Sequence, residues 1–402
     1  MRIYYGWVIV AVGIVVSCIG IGTMMSLSVF LQPMSVEMGW SRAGISAASM
    51  LAFLCLGVAS FAWGAASDRY GTRAVVLAGG VLLGLGLVAA SRAVELWQFL
   101  ALFGVLVGTA AGSSYTPLIA TTTNWFTRHR SLAVALVSIG LSIGTVTVAP
   151  LATWMIVGYG WRTAMLALGG IAWAVVLPAA LLLRQPSAQS DDVRLTADGG
   201  AAFSVAQALR TPQFAAIAFT YFACCAAHSG PIFHMVSYAL ACGVQPLTAT
   251  TVFGAAGLGS LAGRIGCGLI ADRIGAKRVL IFGLGVQALA ILLYTVAHDL
   301  ASLYALSALF GVAYGGVMPL YAIVIRQYFG ARIMGATFGA ANLASTLGMA
   351  IGPLAGGWIF DAFASYRWLY AGSFAVGLGA VAIAVTLRPP RLSASSALSA
   401  AP

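Results

Sequence analysis

Charge is what this sequence has least of. Nine acidic and 20 basic residues among 402 leave it 7% charged, against about 25% in soluble globular chains, whose surfaces must be wetted. With 61% of residues hydrophobic, a soluble enzyme of this length is excluded, and the outer surface is expected to meet lipid. The alternation of short membrane-barrel strands is missing too. Runs such as Trp7–Ile21, Ala74–Ala90 and Phe374–Leu387 are unbroken and apolar, which is the signature of helices. Six cysteines stand in or beside these runs without metal-ligand spacing and read as small packing residues. No P-loop, metal cluster or nucleophile constellation is present, so the sequence predicts no enzyme, no metal and no cofactor, and nothing in it favours a non-transporting receptor.

What is there is apolar length. A membrane-crossing helix needs roughly 20 apolar residues. Polar breaks delimit twelve spans, at about 6–31, 43–63, 74–91, 96–123, 131–155, 161–183, 212–239, 248–270, 279–297, 301–325, 334–360 and 368–387. The first run follows Met1-Arg2 and reaches about Phe30, too long for the apolar core of a signal peptide, so it reads as a retained span. Forty-eight glycines suit helix packing in lipid, where small residues let backbones approach. The predicted fold is an all-α membrane protein of twelve transmembrane helices in two six-helix halves, residues 1–184 and 204–388. A polar cytoplasmic linker, 185–203, joins them, and a Ser/Ala-rich tail, 389–402, is expected to be disordered.

Basic residues orient the chain. With the N-terminus in the cytoplasm, fifteen of the 20 fall on cytoplasmic segments and four (Arg42, Arg92, Arg162 and Arg367) on the opposite side. Such a split follows the positive-inside rule. It predicts a multi-pass protein of the cell inner membrane with both termini cytoplasmic, and it accounts for the net charge of +11 without nucleic acid. A monomer is expected.

One loop occurs twice. Gly64-Ala-Ala-Ser-Asp68-Arg69-Tyr-Gly71-Thr-Arg73 follows span 2, and Gly268-Leu-Ile-Ala-Asp272-Arg273-Ile-Gly275-Ala-Lys277-Arg278 follows span 8, offset by 204 residues. Trp125-Phe126 and Pro150 are echoed by Tyr328-Phe329 and Pro353 at an offset of 203. Parallel repeats are a transporter construction, with the substrate site between the halves near mid-membrane. The GxxxDRxGxR pattern resembles the major facilitator superfamily over residues about 5–390. Asp68, Arg69, Gly71 and Arg73, with Asp272, Arg273, Gly275 and Lys277, are the candidate gating residues, since Asp and Arg can pair across helix ends in one conformation and part in another.

Finer likeness lies in Tyr5-Gly-Trp-Val-Ile-Val, in Val29-Phe-Leu-Gln-Pro-Met-Ser-Val-Glu-Met-Gly-Trp-Ser-Arg42, in Asn124-Trp-Phe-Thr-Arg-His-Arg130 and in Gly140-x-x-x-Gly144 before Pro150. These stretches look like the monocarboxylate transporter and oxalate/formate antiporter branch.

The twentieth basic residue, Arg264, lies inside span 8, eight residues before Asp272, or roughly 12 Å along the helix. A buried arginine costs about 2.5–3.5 kcal/mol on insertion scales and cannot shed its proton. All nine acids map to loops or span ends, so no carboxylate inside a span neutralises it. Its forked donors match two carboxylate oxygens. The branch resemblance points the same way, since its members hold carboxylate with an arginine on this helix. Oxalate carriers add a lysine in span 11, where this chain offers Asn342. One intramembrane cation suits a monocarboxylate. Animal-type members set an acid one turn before the arginine; here that position is Ser260, so coupling through that pair is in doubt.

Histidine titrates near neutral pH and suits a proton carrier. His228 and His234 in span 7 are the candidates, the resemblance favouring His234. Ser113, Tyr115 and Tyr314 match the branch pattern for substrate contact beside the Gly- and Pro-rich stretches of spans 4 and 10, while Leu141, Asn342, Phe30 and Tyr321 are further candidates for lining the cavity. These readings converge on a secondary transporter of small monocarboxylates, lactate- or pyruvate-like, working by proton symport or anion exchange. The alternative is an efflux carrier for multiple drugs or amphipathic compounds, which commonly carries a membrane-embedded acid that this chain lacks.

Overall fold

The computed structural model describes residues 4–126, 130–184, 204–330 and 333–389. The expected linker (185–203), the tail beyond 389 and the side chain of Asp68 lie outside the described residues. Helices α1 (Gly6–Met38), α2 (Arg42–Tyr70), α3 (Thr72–Ala90) and α4 (Leu96–Trp125) come first. The run Arg130–Leu181 turns at Gly160, whose φ is 81°, and so divides into α5 (130–159) and α6 (161–181). After a short helix, Val205–Leu209, come α7 (Pro212–Ala241), α8 (Pro246–Ile274), α9 (Ala276–Leu293), α10 (Leu300–Phe329), α11 (Met334–Phe363) and α12 (Arg367–Thr386). Eleven continuous stretches are long and apolar enough to cross a membrane, and the Gly160 turn makes twelve helices. The first span runs past its expected end to Met38, because Leu31 and Met34 on either side of Pro33 remain fully buried.

The duplication is written in the turns. Gly71 (φ 85°) and Gly275 (φ 93°), both from the repeated loop, end α2 and α8 in backbone that disfavours side chains. Apart from Gly330, the other four positive-φ positions pair at the same 204-residue offset: Gly39 with Gly243, and Gly160 with Ala364. So do two helix starts, Glu95 before α4 and Asp299 before α10. The chain thus folds twice in the same way.

Close glycine contacts weld each half. A methyl at Gly263 would overlap the Val312 carbonyl, one at Gly311 the Ala256 carbonyl and one at Gly315 the backbone of Ser260, so α8 and α10 touch backbone to backbone. The equivalent pair, α2 and α4, meets through Gly108 against Ala52.

Two main seams join the halves, α2 with α11 and α5 with α8, and the Leu27–Met38 end of α1 also meets α7. Both main seams are tight toward the face that carries Gly39, Gly160, Gly243 and Ala364, here the distal face. There the Arg42 and Ala43 amides bond the Asp361 carboxylate at 3.1 and 2.7 Å, and Thr250 donates to Thr153 at 2.9 Å. Further along α2, Gly57 packs against Thr346. One turn further toward the opposite, terminal face, Phe61 is 84% exposed and Asn342 is also exposed. The halves therefore meet distally and part toward the face of the Gly71 and Gly275 loops.

Candidate functional site

Arg264 is half-buried on α8, and its Nε is enclosed without a hydrogen-bond partner. Among the described residues no ion pair or hydrogen bond reaches this side chain. Helical geometry fixes its direction. Gly263 faces α10, while Gly257, seven residues before Arg264, presses on Ser142 and Thr145 of α5. Seven residues are almost two turns, so Arg264 looks the way Gly257 does, toward the other half. Tyr314 directly precedes the α10 contact at Gly315.

The facing position on α5 comes from register. Thr250 meets Thr153 and Gly257 meets Thr145; the next seven-residue step sets Arg264 opposite Ser138. Ser138 donates to the Val134 carbonyl at 2.9 Å and lies 2.9 Å from the Tyr115 hydroxyl. With its proton on Val134, Ser138 accepts from Tyr115, whose own oxygen keeps acceptor capacity. Tyr115 holds this place because α4 is broken there. Its φ and ψ of −130° and −62° are non-helical, a π-helical stretch (Leu100–Val107) precedes the break, and Pro117 opens the next segment. Proline offers no N–H and its ring crowds the carbonyl four residues back, here that of Ser113. Interrupted helices of this kind recur at transporter binding sites. The corresponding proline of α10, Pro319, leaves that helix continuous.

The remaining sequence candidates separate. His228 is 2% exposed, its Nδ1 lies 2.8 Å from the Cys224 carbonyl, and its ring lies 5.3 Å from that of Tyr314. It therefore packs beside Tyr314. Ser113 is fully buried, donates to the Ala110 carbonyl and faces Gly79 of α3. Tyr321 stacks on Tyr221 at 4.0 Å in the core nearer the terminal face, and Phe30 is core. Leu141 is half-buried against the main core, and Asn342 is exposed on α11 where the halves part. Ser260 is enclosed against Gly315, so the backbone of α10 occupies the space that an acid would need. An apolar recess is bounded by Met25 and Phe53 of one half and Phe233, Phe253 and Met349 of the other.

His234 lies elsewhere. Fully buried near the distal end of α7, it bonds the Pro353 carbonyl through Nε2 at 2.8 Å and the Tyr366 hydroxyl through Nδ1 at 3.2 Å. Arg42 from the other half donates to the same hydroxyl at 2.6 Å and lies 3.8 Å over the Phe360 ring. Sequence reading had placed Arg42 and Asp361 merely at span ends.

Among the described residues the repeated loops hold no ion pair within 4.0 Å, and the Asp68 side chain lies outside them. Arg69 lies 5.2 Å from the Tyr70 ring, and Lys277 donates to the Val385 and Leu387 carbonyls. Among the described residues the one ion pair within 4.0 Å joins Arg162 to Glu37 on the distal face, at 3.8 Å.

Known proteins resemble this chain throughout. The sequence profile of the Major Facilitator Superfamily matches residues 12–273 and again 230–402. Monocarboxylate transporter 13 of Bos taurus is 25% identical over 374 residues, 92% of this chain and 87% of its own length. Monocarboxylate transporter 11 of Mus musculus is 29% identical over 372 residues, 89% of this chain and 81% of its own. Among solved structures, a bacterial homologue of the human lysosomal transporter Spinster, in an inward-facing and occupied conformation, superposes with a TM-score of 0.77 at 16% identity. It covers 98% of this chain and all of its own.

Proposed function

Because the chain belongs to the major facilitator superfamily and is a multi-pass membrane transporter, we propose that its cargo is a small monocarboxylate of the lactate or pyruvate kind, gripped by Arg264. The observation that carries this reading is the arginine itself: a permanent cation within a membrane span, its Nε enclosed and unpartnered, aimed at the space between the halves. Leaving such a group unpaired is costly, and a carboxylate satisfies two of its donors at once. Ser138 and Tyr115 face it from the N-terminal half, and the Tyr115 oxygen is placed to accept from a substrate hydroxyl. Tyr314, with His228 packed beside it, completes the proposed site. The monocarboxylate transporters among its relatives support the same class of cargo.

With the termini cytoplasmic, as the spread of basic residues favours, the terminal face is cytoplasmic and the conformation is inward-open, in the inner membrane of the cell. Alternating access then proceeds by rocking one half against the other, by proton symport or anion exchange, in a chain acting as a monomer. Counterflow tests the reading. Liposomes holding the protein and unlabelled lactate are given trace labelled lactate. Label accumulates with the native protein, is lost in Arg264→Ala and recovers little in Arg264→Lys, since lysine lacks the fork. Near-native counterflow in folded Arg264→Ala sinks the assignment. Absent counterflow from folded native protein rejects lactate and turns the search to larger acids and then to cationic drugs.

A further inference from the structure

The contacts around His234 form one continuous chain across the distal seam. The Arg42 guanidinium donates to the Tyr366 hydroxyl. Tyr366 stands against His234 Nδ1, and His234 Nε2 stands against the Pro353 carbonyl. A carbonyl only accepts, so Nε2 carries the imidazole proton and Nδ1 is left as an acceptor. Tyr366 therefore accepts from Arg42 and donates to His234. The chain begins in one half of the molecule and ends in the other.

A second proton on His234 breaks this order. Nδ1 becomes a donor, and the Tyr366 oxygen then meets donors from two cations held on one hydroxyl in a buried place. The groups around the ring offer little relief. From α2 comes Arg42 itself. From α11 comes Asp361, whose two oxygens already accept from the Arg42 and Ala43 amides. The backbone of α11 at Gly356 lies directly against the imidazole and brings no charge. From α12 and its approach come Tyr366 and Tyr370, from α9 Tyr294, and from α7 the neutral Ser237, Tyr238 and Cys242. The nearest acid on α1, Glu37, is paired with Arg162. On their ordinary values, histidine alone among these side chains changes charge between pH 5 and 8.

We propose that His234 is a proton-binding site separate from the Arg264 cargo site, and that protonating it releases Arg42 and opens the distal seam. A proton arriving from the distal side then favours the conformation that exposes the cargo site to that side, and deprotonation restores the seam. The inference rests on the carrier reading but not on which cargo is carried.

Hydrogen exchange reads the seam without any cargo. The Arg42 and Ala43 amides are first-turn amides of α2, bonded only by Asp361 of the other half, so their protection reports seam closure. The full-length protein in lipid nanodiscs is compared at pH 8 and pH 5.5, corrected for intrinsic exchange rates. In the native protein, protection of the peptide spanning residues 40–47 falls at least tenfold at the lower pH. In His234→Gln, whose amide keeps one donor for Pro353 and one acceptor for Tyr366 but does not titrate, protection stays high at both. In Tyr366→Phe, which cuts the relay and keeps the ring, protection is low at both. Native protection that ignores pH overturns the proposal, as does an undiminished pH response in His234→Gln or, should that variant not fold, in Tyr366→Phe. A loss of counterflow in Arg264→Ala leaves these readings untouched, so the two proposals fail separately.

Discussion

Asp361 caps a helix that belongs to the other half of the molecule. Its carboxylate accepts from the first two amides of α2 at 3.1 and 2.7 Å, where the helix dipole concentrates positive charge. Replacing it with Asn leaves one oxygen for two donors and turns an amide N–H toward a backbone N–H. A charge-assisted hydrogen bond contributes about 1.5–3 kcal/mol. Asp361 is exposed, so solvent screening reduces this to about 1 kcal/mol. The Arg42–Phe360 contact survives the change. About 1 kcal/mol moves a two-state equilibrium about fivefold toward the distally open state. Spin labels at Val36→Cys and Phe363→Cys, both exposed and on opposite halves, report the change by pulsed dipolar spectroscopy once the half-buried Cys55, Cys242 and Cys267 are replaced by serine. The longer-distance population should rise about fivefold in Asp361→Asn. An unchanged distribution in folded protein refutes the idea that this cap holds the seam, and a shift toward shorter distance refutes its sign.

Gly263→Ala drives a methyl into the Val312 carbonyl, which is backbone and cannot step aside. It should lower the melting temperature in detergent by an amount equivalent to about 1–3 kcal/mol, whereas Gly372→Ala, with open space around it, should not. Tyr115→Phe removes the hydroxyl that meets Ser138 and costs about 1 kcal/mol of hydrogen bonding. Half-saturation for a hydroxylated monocarboxylate should rise about fivefold while that for its keto analogue changes less, measured in paired counterflow titrations.

The spans were legible because lipid demands long apolar runs, and the repeat because its Asp, Arg and Gly recur at one spacing. The turns at Gly39, Gly160 and Gly243, with Ala364, obey the same offset, but an alanine standing in for a glycine hides the match. Tyr115 and Tyr314 looked alike in sequence, each beside glycines and a proline. Yet α4 breaks at Tyr115 and α10 runs on through Pro319, a difference that rests on tertiary packing rather than on propensity. Ser113 and Tyr115 are two residues apart, and only contact with Gly79 of α3 decides that Ser113 turns away. The distal seam was harder still. Arg42 and Asp361 are 319 residues apart and each resembles an ordinary charge at a membrane interface. Scarcity was the available signal: with only nine acids in the chain, each one at a span end warrants a partner.

That scarcity also bears on how the two ends of the cycle differ. Distally, the halves are held by groups present in this conformation, an acid on two amides and an arginine on a tyrosine. Toward the terminal face the corresponding partners are apart, with Arg264 across the opening from Ser138 by register. Closing this face would bring the two halves together around Arg264. The unpartnered arginine opposes such closure, because bringing α8 toward α5 without an anion would desolvate a cation against neutral hydroxyls. On the proposed carboxylate reading, a bound anion would remove that penalty and meet donors from both halves. Cargo would then act as the missing half of a seam, and the energetic asymmetry between the two faces would follow from where the chain has spent its few charges.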